Sequence, residues 1–412
     1  MAWQWIDEAL REVRVRGLYR RRRRVRARHG AAVYMGTRKL IHFASNDYLG
    51  LASAPQVVRS IVRAAKRWGC GSSASALISG YTALHRRLER ELARWQGTRA
   101  ALVFPSGYHA NLGILTALAG RADAVFSDQL NHASIIDGCR LSRAQVYVYR
   151  HTDMDHLEEL LRHYGRQARR RIIVSDALFS MDGDLAPVGE LLRLAEAYDA
   201  LVVVDEAHAL GVLGSQGRGV CELVLSSHDQ QSDHGRLVRV GTLSKALAAQ
   251  GGFVCGDWSL VRWLVQSARS YIFSTALTPL ACAAARAALR VVRTDPARRQ
   301  YLLELAAYLR GRLREAGWHI GSSQAHIVPV LVGDARASVA LSQRLWHHGY
   351  FVPAIRPPSV PPGTSRLRIG VTAAHSRDDV DGLVAALDRA RAAMGLSQVP
   401  SVTLAEDNRG AV

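Results

Sequence analysis

The sequence predicts an α/β fold: a mostly parallel central sheet with helices on both faces, and a smaller α+β domain toward the C-terminus. Three observations predict it. Short apolar runs alternate with helical stretches from Ala100 to Thr242, the pattern of successive βαβ units. The run Leu201-Val-Val-Val-Asp205 has no polar alternation, which is how a strand buried on both faces of a parallel sheet reads. Beyond Pro279 the pattern changes to two long helical stretches, 280–293 and 298–316, and then to isolated strands.

Taken in order, residues 1–28 read as one helix that becomes strongly basic at Arg20–Arg24, Arg26 and Arg28. Residues 41–51 form a short strand and then a turn on Asn46, Asp47 and Gly50. Residues 55–68 carry helical periodicity. The small-residue run 69–81 (GCGSSASALISGY) reads equally as a close backbone approach or as a flexible loop. A helix at 85–96 leads to a strand at 100–104, and the turn Pro105-Ser-Gly-Tyr-His-Ala-Asn111 opens an apolar helix reaching Ala119. A strand, a glycine turn and a helix start together offer backbone N–H groups to a phosphate.

Further strands are expected at 124–127, 145–149, 171–175, 201–205 and 237–242. Asn131-His132-Ala-Ser134 follows the first of them, and a turn at 179–184 and a helix at 190–198 precede the run ending in Asp205. In the C-terminal part, strands are expected at 327–332 and 366–371, with helices at 338–349 and 378–394. The division this implies is an N-terminal helix and strand segment at 1–45, a large α/β domain at 46–285, a small α+β domain at 286–396 and a disordered tail at 397–412.

A formal net charge of +19 raises a nucleic-acid or anionic-surface reading. The distribution argues against it. The chain has three lysines (Lys39, Lys66 and Lys245), and its arginines are scattered from end to end, as on solvated helix faces. An acidic substrate or an acidic carrier protein suits the charge as well. Five widely spaced cysteines, an odd number, form neither a disulfide framework nor a metal-ligand spacing. The N-terminus lacks a signal-peptide core and no apolar run is long enough to span a bilayer. A cytoplasmic enzyme with no metal and no membrane or nucleic-acid partner is the expectation.

The chemistry is read from two residues. Asp205 closes a buried strand, where open α/β sheets place ligands. An acid there must be paired or must hold something cationic. Lys245 ends Thr242-Leu-Ser-Lys245 and is followed by small residues at 246, 248, 249, 251 and 252. A lysine in a tight apolar loop has a lowered pKa and forms imines with aldehydes. An aldehyde cofactor held by a lysine, with an acid for its pyridinium nitrogen, is pyridoxal phosphate chemistry. His208 and Ser180 are candidates for the ring's phenolic oxygen. The Ser106-Gly107-Tyr108 turn and Thr242 are candidates for the phosphate, and His132 for stacking on the ring face.

Over nearly its whole length the chain resembles the α-oxoamine synthases. The residues that carry the resemblance are NDYLGL at 46–51, SGYHAN at 106–111, NHASIIDG at 131–138, FSMDGD at 179–184, VDEAHALGVLG at 204–214, TLSKAL at 242–247 and FSTALTP at 273–279. The resemblance implies the fold-type I pyridoxal-phosphate-dependent transferase fold and an acyltransferase activity. Residues 1–10 and 354–375 look most like the branch of biotin biosynthesis that condenses L-alanine with a pimeloyl thioester, carried on coenzyme A or on a carrier protein.

By position, the resemblance implies that Lys245 holds the cofactor as an imine and that Asp205 pairs with the pyridine nitrogen. It places His208 and Ser180 at the phenolic oxygen, and Gly107, Tyr108 and Thr242 at the phosphate. His132 would stack on the ring. Ser274 and Thr275 would reach the phosphate held by the partner subunit, so the protein would be a homodimer with shared active sites. Arg368 would clamp the amino-acid carboxylate, a task suited to guanidinium geometry. Arg20 and Ser359 would contact substrate, with Asn46 nearby. The chain departs from the family pattern in the small-residue loop, where GSSAS is followed by Ala76 and Leu77, and at Ser359 and Ala209.

Overall fold

The computed structural model describes residues 2–225 and 235–395; the expected C-terminal tail falls outside them. Chain contacts divide the protein into two units. Among the described residues, the smaller comprises 2–45, 181–183 and 301–395, and the larger 46–180, 184–225 and 235–300. The N-terminal segment is therefore part of the smaller unit, and the boundary expected near 285 lies at 300. It is displaced because the helix Pro279–Thr294 packs against the helix Pro55–Trp68, with Ser60 Oγ donating to the Ala283 carbonyl at 3.0 Å.

The smaller unit opens with a helix that ends at Val15, not near Arg28 as expected. The chain turns at Gly17, where φ is +69°. The arginines that follow run extended into β1 (Val25–His29), which pairs with β2 (Ala32–Met35) and onward to β3 (Arg38–His42). Adjacent like charges separate better along an extended chain than around a helix, and the apolar side chains of Val33, Met35 and Leu40 give this small sheet its own core.

The larger unit supplies β4 (Ala100–Phe104), β5 (Ala124–Asp128), β6 (Gln145–Tyr149), β7 (Arg171–Asp176), β8 (Ala200–Asp205), β9 (Leu237–Thr242) and β10 (Gly252–Gly256). They form one sheet in the order β4-β10-β9-β8-β7-β5-β6. Six strands point one way, and β10 runs antiparallel to both its neighbours. Every residue of β4, β5, β9 and β10 is buried, as expected for a sheet covered on both faces. The strand β10 was not expected from the sequence. Its glycine start is what allows it: a Cβ at Gly252 would lie 2.5 Å from the Ser106 carbonyl and 2.6 Å from the Gly107 backbone. The small residues read as a loop are in part a strand that must pass another backbone closely.

Back in the smaller unit, β11 (Ile327–Gly333), β12 (Tyr350–Phe351), β13 (Ala354–Ile355) and β14 (Ser365–Gly370) complete the strands. β12 adds to the first small sheet in parallel with β3, and β11, β14 and β13 form a separate antiparallel sheet in that order. The helix Arg377–Met394 closes the unit behind a capping box of Ser376 and Asp379. Among the described residues no helix is long and apolar enough to cross a membrane.

Candidate active site

The six parallel strands end at one edge of the sheet, and the chemical residues of the larger unit leave from that edge. Phe104 leads to Ser106 and Gly107, Asp128 to His132, Asp176 to Ser180, Asp205 to His208, and Thr242 to Lys245. A parallel sheet gathers such loops because every crossover returns the chain to the same side.

Asp205 is buried, and both its carboxylate oxygens are held. The Ala207 N–H donates to Oδ1 at 2.8 Å and the Asn111 amide to Oδ2 at 2.7 Å. Asn111 also donates to Ser134 Oγ at 2.8 Å. This contact needs the helices Gly107–Leu118 and Ala133–Ser142 to lie close, and Gly138 permits it: a Cβ there would meet Leu115 at 2.8 Å and the Asn111 carbonyl at 3.1 Å. The next acid, Glu206, turns the other way and accepts from the N–H groups of Val220 and Cys221 at 2.9 and 2.7 Å. Of two adjacent acids, one belongs to the site and one pins a neighbouring turn.

Asp176 pairs in register with Asp205 on the adjacent strand. Burial, reinforced by the charge of Asp205, pushes its carboxyl well above the usual range. The His132 N–H donates to it at 2.7 Å. His132 caps the helix Ala133–Ser142, its Nδ1 2.7 Å from Ser134 Oγ. Part of the residue is open to solvent, yet desolvation by the surrounding walls lowers its imidazole pKa. Asp205 opposes that effect and Lys245 adds to it. Asp205, Asp176, His132 and Lys245 thus lie within electrostatic reach of one another.

His208 is buried, with Nδ1 2.6 Å from the Tyr48 hydroxyl, which is 3.1 Å from Asn46 Oδ1. With the hydroxyl donating to Asn46, the imidazole donates from Nδ1. Asn46, expected only to lie nearby, is tied to His208 through Tyr48.

Gly107 starts the helix Gly107–Leu118, whose cap Ser106 accepts from the His109 N–H at 3.1 Å. The first N–H groups of a helix have no partner within it, which makes this an anion-binding end. A Cβ on Gly107 would lie 3.4 Å from the Thr242 side chain, so glycine keeps a cradle open between the two. The Thr242 hydroxyl lies 2.7 Å from Ser244 Oγ and donates to the Gly251 carbonyl at 3.0 Å. Tyr108 is exposed and donates its hydroxyl to Asp137. Ser274 and Thr275 lie on a segment that pairs with residues 74–75 through the Ser75–Thr275 bridge, and Thr275 is exposed.

The remaining expected residues belong to the smaller unit. Arg368 is buried on β14, its N–H donating to the Pro353 carbonyl at 3.1 Å. Arg20 and Ser359 are exposed. The Ser359 N–H donates to the Arg356 carbonyl at 3.1 Å. Burial first, and then the charge of Arg20, depress the Arg356 guanidinium. Arg366 shares a strand face with Arg368 but is bound to Asp182.

Sequence reasoning missed Asn111, Tyr48, Ser244 and Arg356. The first three stand inside quoted motifs and Arg356 inside the 354–375 stretch, so the only available signal was proximity in sequence to a chosen residue.

A lysine, a carboxylate oriented by two donors, an imidazole held by Tyr48 and a helix-end cradle lined by Thr242 fit a phosphorylated pyridine aldehyde. Residues 38–387 match the aminotransferase class I and II family, and the chain belongs to that family of pyridoxal-phosphate-dependent enzymes. Curated relatives include the 8-amino-7-oxononanoate synthase of Anaeromyxobacter dehalogenans, 48% identical over 94% of this chain and 95% of that protein. The synthase of that name from Geobacter sulfurreducens is 47% identical over 95% of this chain and 99% of its own. Among solved structures, a serine palmitoyltransferase from S. paucimobilis with bound PLP superposes with a TM-score of 0.88 at 29% identity, covering 96% of this chain and 99% of its own. An 8-amino-7-oxononanoate synthase from Francisella tularensis gives 0.73 at 26% identity, over 87% of this chain and 99% of its own.

Proposed function

We propose that the chain catalyses the decarboxylative condensation of L-alanine with a pimeloyl thioester, on coenzyme A or a carrier protein, in biotin biosynthesis in the cytoplasm. The products are 8-amino-7-oxononanoate, carbon dioxide and the free thiol. The observation that carries the reading is the convergence of Asp205, His132 and Lys245 at the carboxyl edge of the sheet, in a chain close to half identical to synthases of that reaction.

The bound cofactor supplies a sink for the electron pair left at the amino-acid α-carbon. Lys245 holds the cofactor aldehyde, then removes the α-proton of L-alanine, and later returns a proton to that carbon. Asp205, oriented by Asn111 and the Ala207 N–H, keeps the proton on the pyridine nitrogen. His208, set by Tyr48, and Ser180 approach the phenolic oxygen, and His132 covers the ring face. Gly107, Tyr108 and Thr242 hold the phosphate, joined by Ser274 and Thr275 across a homodimer. Arg368 clamps the alanine carboxylate, while Arg20, Ser359 and Asn46 line the substrate path. The α-carbon bonds to the thioester carbonyl as the C–S bond breaks and the thiolate takes a proton. The carboxylate carbon then leaves as carbon dioxide.

The likeness to serine palmitoyltransferases favours one second reading, the same reaction on another amino acid or acyl thioester. Mass spectrometry of products from L-alanine or L-serine with pimeloyl and longer acyl thioesters decides between them. The first reading expects 8-amino-7-oxononanoate and matching carbon dioxide release. A product only from another pair overturns it in favour of the second.

A further inference from the structure

Outside the residues assigned above, the larger unit holds a largely buried charged cluster centred on His151. His151, just past the end of β6, is bonded on both ring nitrogens. Nδ1 lies 2.9 Å from Asp128 Oδ1, and Nε2 lies 2.8 Å from Asp184 Oδ2. The side chains of Asp128 and Asp184 are 1% and 9% exposed, that of His151 19%. A neutral imidazole has a single N–H and can donate to one carboxylate. Two bonds of this length to two carboxylates call for the doubly protonated ring. Burial alone would lower the imidazole pKa, but the hydrogen bonds and charges of Asp128 and Asp184 outweigh it and push it up to about 10.

The two carboxylates stand at the roots of two different turns. Asp128 ends β5 and begins the turn to His132. It accepts from the Leu130 N–H at 2.8 Å, and its carbonyl accepts from the Asn131 N–H at 3.2 Å. Asp184 closes the turn that carries Ser180, its carbonyl accepting from the Phe179 N–H at 3.0 Å beside the Leu178–Leu185 bridge. The Phe179 ring meets His151 edge-on at 4.4 Å. Thr152 follows with φ of +53° and donates its N–H to Asp128 Oδ2 at 2.9 Å. A β-branched residue in the left-handed region is strained, and such a conformation persists where its surroundings over-determine it.

We propose that His151 is a positioning residue of the site: bonded on both nitrogens, it locks the turn bearing Ser180 to the turn bearing His132. It touches neither substrate nor cofactor. Its effect is to hold the spacing between a group at the ring's phenolic oxygen and a group on the ring's face. The proposal rests on the reading that Ser180 and His132 make those contacts.

The test is a double-mutant cycle on the holoenzyme with His151→Gln and Ser180→Ala. It reads the pH midpoint of the cofactor's visible absorption, together with kcat and KM for L-alanine. His151→Gln should shift the midpoint in the direction Ser180→Ala does. It should lower kcat about tenfold to hundredfold, the scale of an ångström-level misplacement, with KM nearly unchanged. In the His151→Gln background, Ser180→Ala should then add less than half of its wild-type effect on a logarithmic scale. Fully multiplicative effects, or a wild-type midpoint in a variant whose only change is a lower Tm, remove the clamp. If Ser180→Ala alone leaves the midpoint unmoved, the Ser180 assignment fails and the proposal falls with it. Should His151→Gln not fold, Asp184→Asn keeps an acceptor for Nε2. It should show the same midpoint shift in weaker form; no shift overturns the proposal.

Discussion

The carboxyl edge of the large sheet and the arginine run at 20–28 are both charged, yet they carry very different amounts of information. At the sheet edge Asp205, Glu206 and Asp176 are buried, and each has an identifiable solution: two donors for Asp205, a helix start for Glu206, a raised carboxyl pKa for Asp176. In the run, Arg22 and Arg24 are exposed, and an exposed side chain of this kind can keep its charged head in water. Burial makes a charge choose a partner, and the choice exposes the chemistry. A solvated charge makes no such choice.

The largest effect is expected at Lys245→Ala, which should abolish both the visible absorption of bound cofactor and turnover; measurable turnover removes Lys245 from its role. Next is Asp205→Asn, which leaves the Asn111 amide facing a neutral group. It should lower kcat by about a hundredfold or more, the scale of a lost electrostatic contact in a water-excluded site, and weaken cofactor retention on dialysis. Arg368→Ala should act mainly on KM for L-alanine, raising it about tenfold or more with a smaller change in kcat. An unchanged KM would take the carboxylate role away from this residue.

A smaller effect, on stability, is expected at His151. Its folded pKa of about 10 lies above the ordinary 6.5, so its stabilisation is complete below pH 6.5 and is lost as pH rises toward 10. The difference in unfolding free energy between wild type and His151→Gln should therefore be widest near pH 6 and shrink steadily to pH 10. A constant difference would show that the ring is not charged in the folded state. The smallest effect belongs to the exposed run. Arg22→Ala and Arg24→Ala should each change stability by less than about 0.5 kcal/mol and leave kcat/KM for L-alanine unchanged. A large drop at either would move the run into the site.

Much of the larger unit was legible because most of its strands are buried on both faces, with the exposed edge strand 145–149 legible from its β-branched and aromatic residues instead. The strand 237–242 was read at its observed ends, and the runs at 100–104 and 145–149 likewise. Two features were not. The basic stretch after Val15 looked helical from composition but is not: the chain turns at Gly17, and residues 25–29 form a strand held by pairing with Ala32–Met35. β10 looked like a loop because glycine lowers strand propensity, and its close pass by Ser106 exists only in the fold.

The site divided in the same way. Residue type and order along an alternating α/β chain single out Asp205, His208 and Lys245 as candidates, and the structure sets all three at or just beyond the same ends of the sheet strands. Asn111 and Tyr48 were not singled out, because they act on residues 94 and 160 positions away. The amino-acid sequence by itself determined the alternation, the chemistry on offer and the edge of the sheet at which it would gather, because these follow from local pattern and the handedness of crossovers. Only the tertiary structure decided which of the adjacent acids Asp205 and Glu206 faces the site, and which amide and hydroxyl orient Asp205 and His208. It also decided that His151 sits between two carboxylates. Those choices depend on burial and on distances between residues far apart in the chain, and local pattern does not encode them.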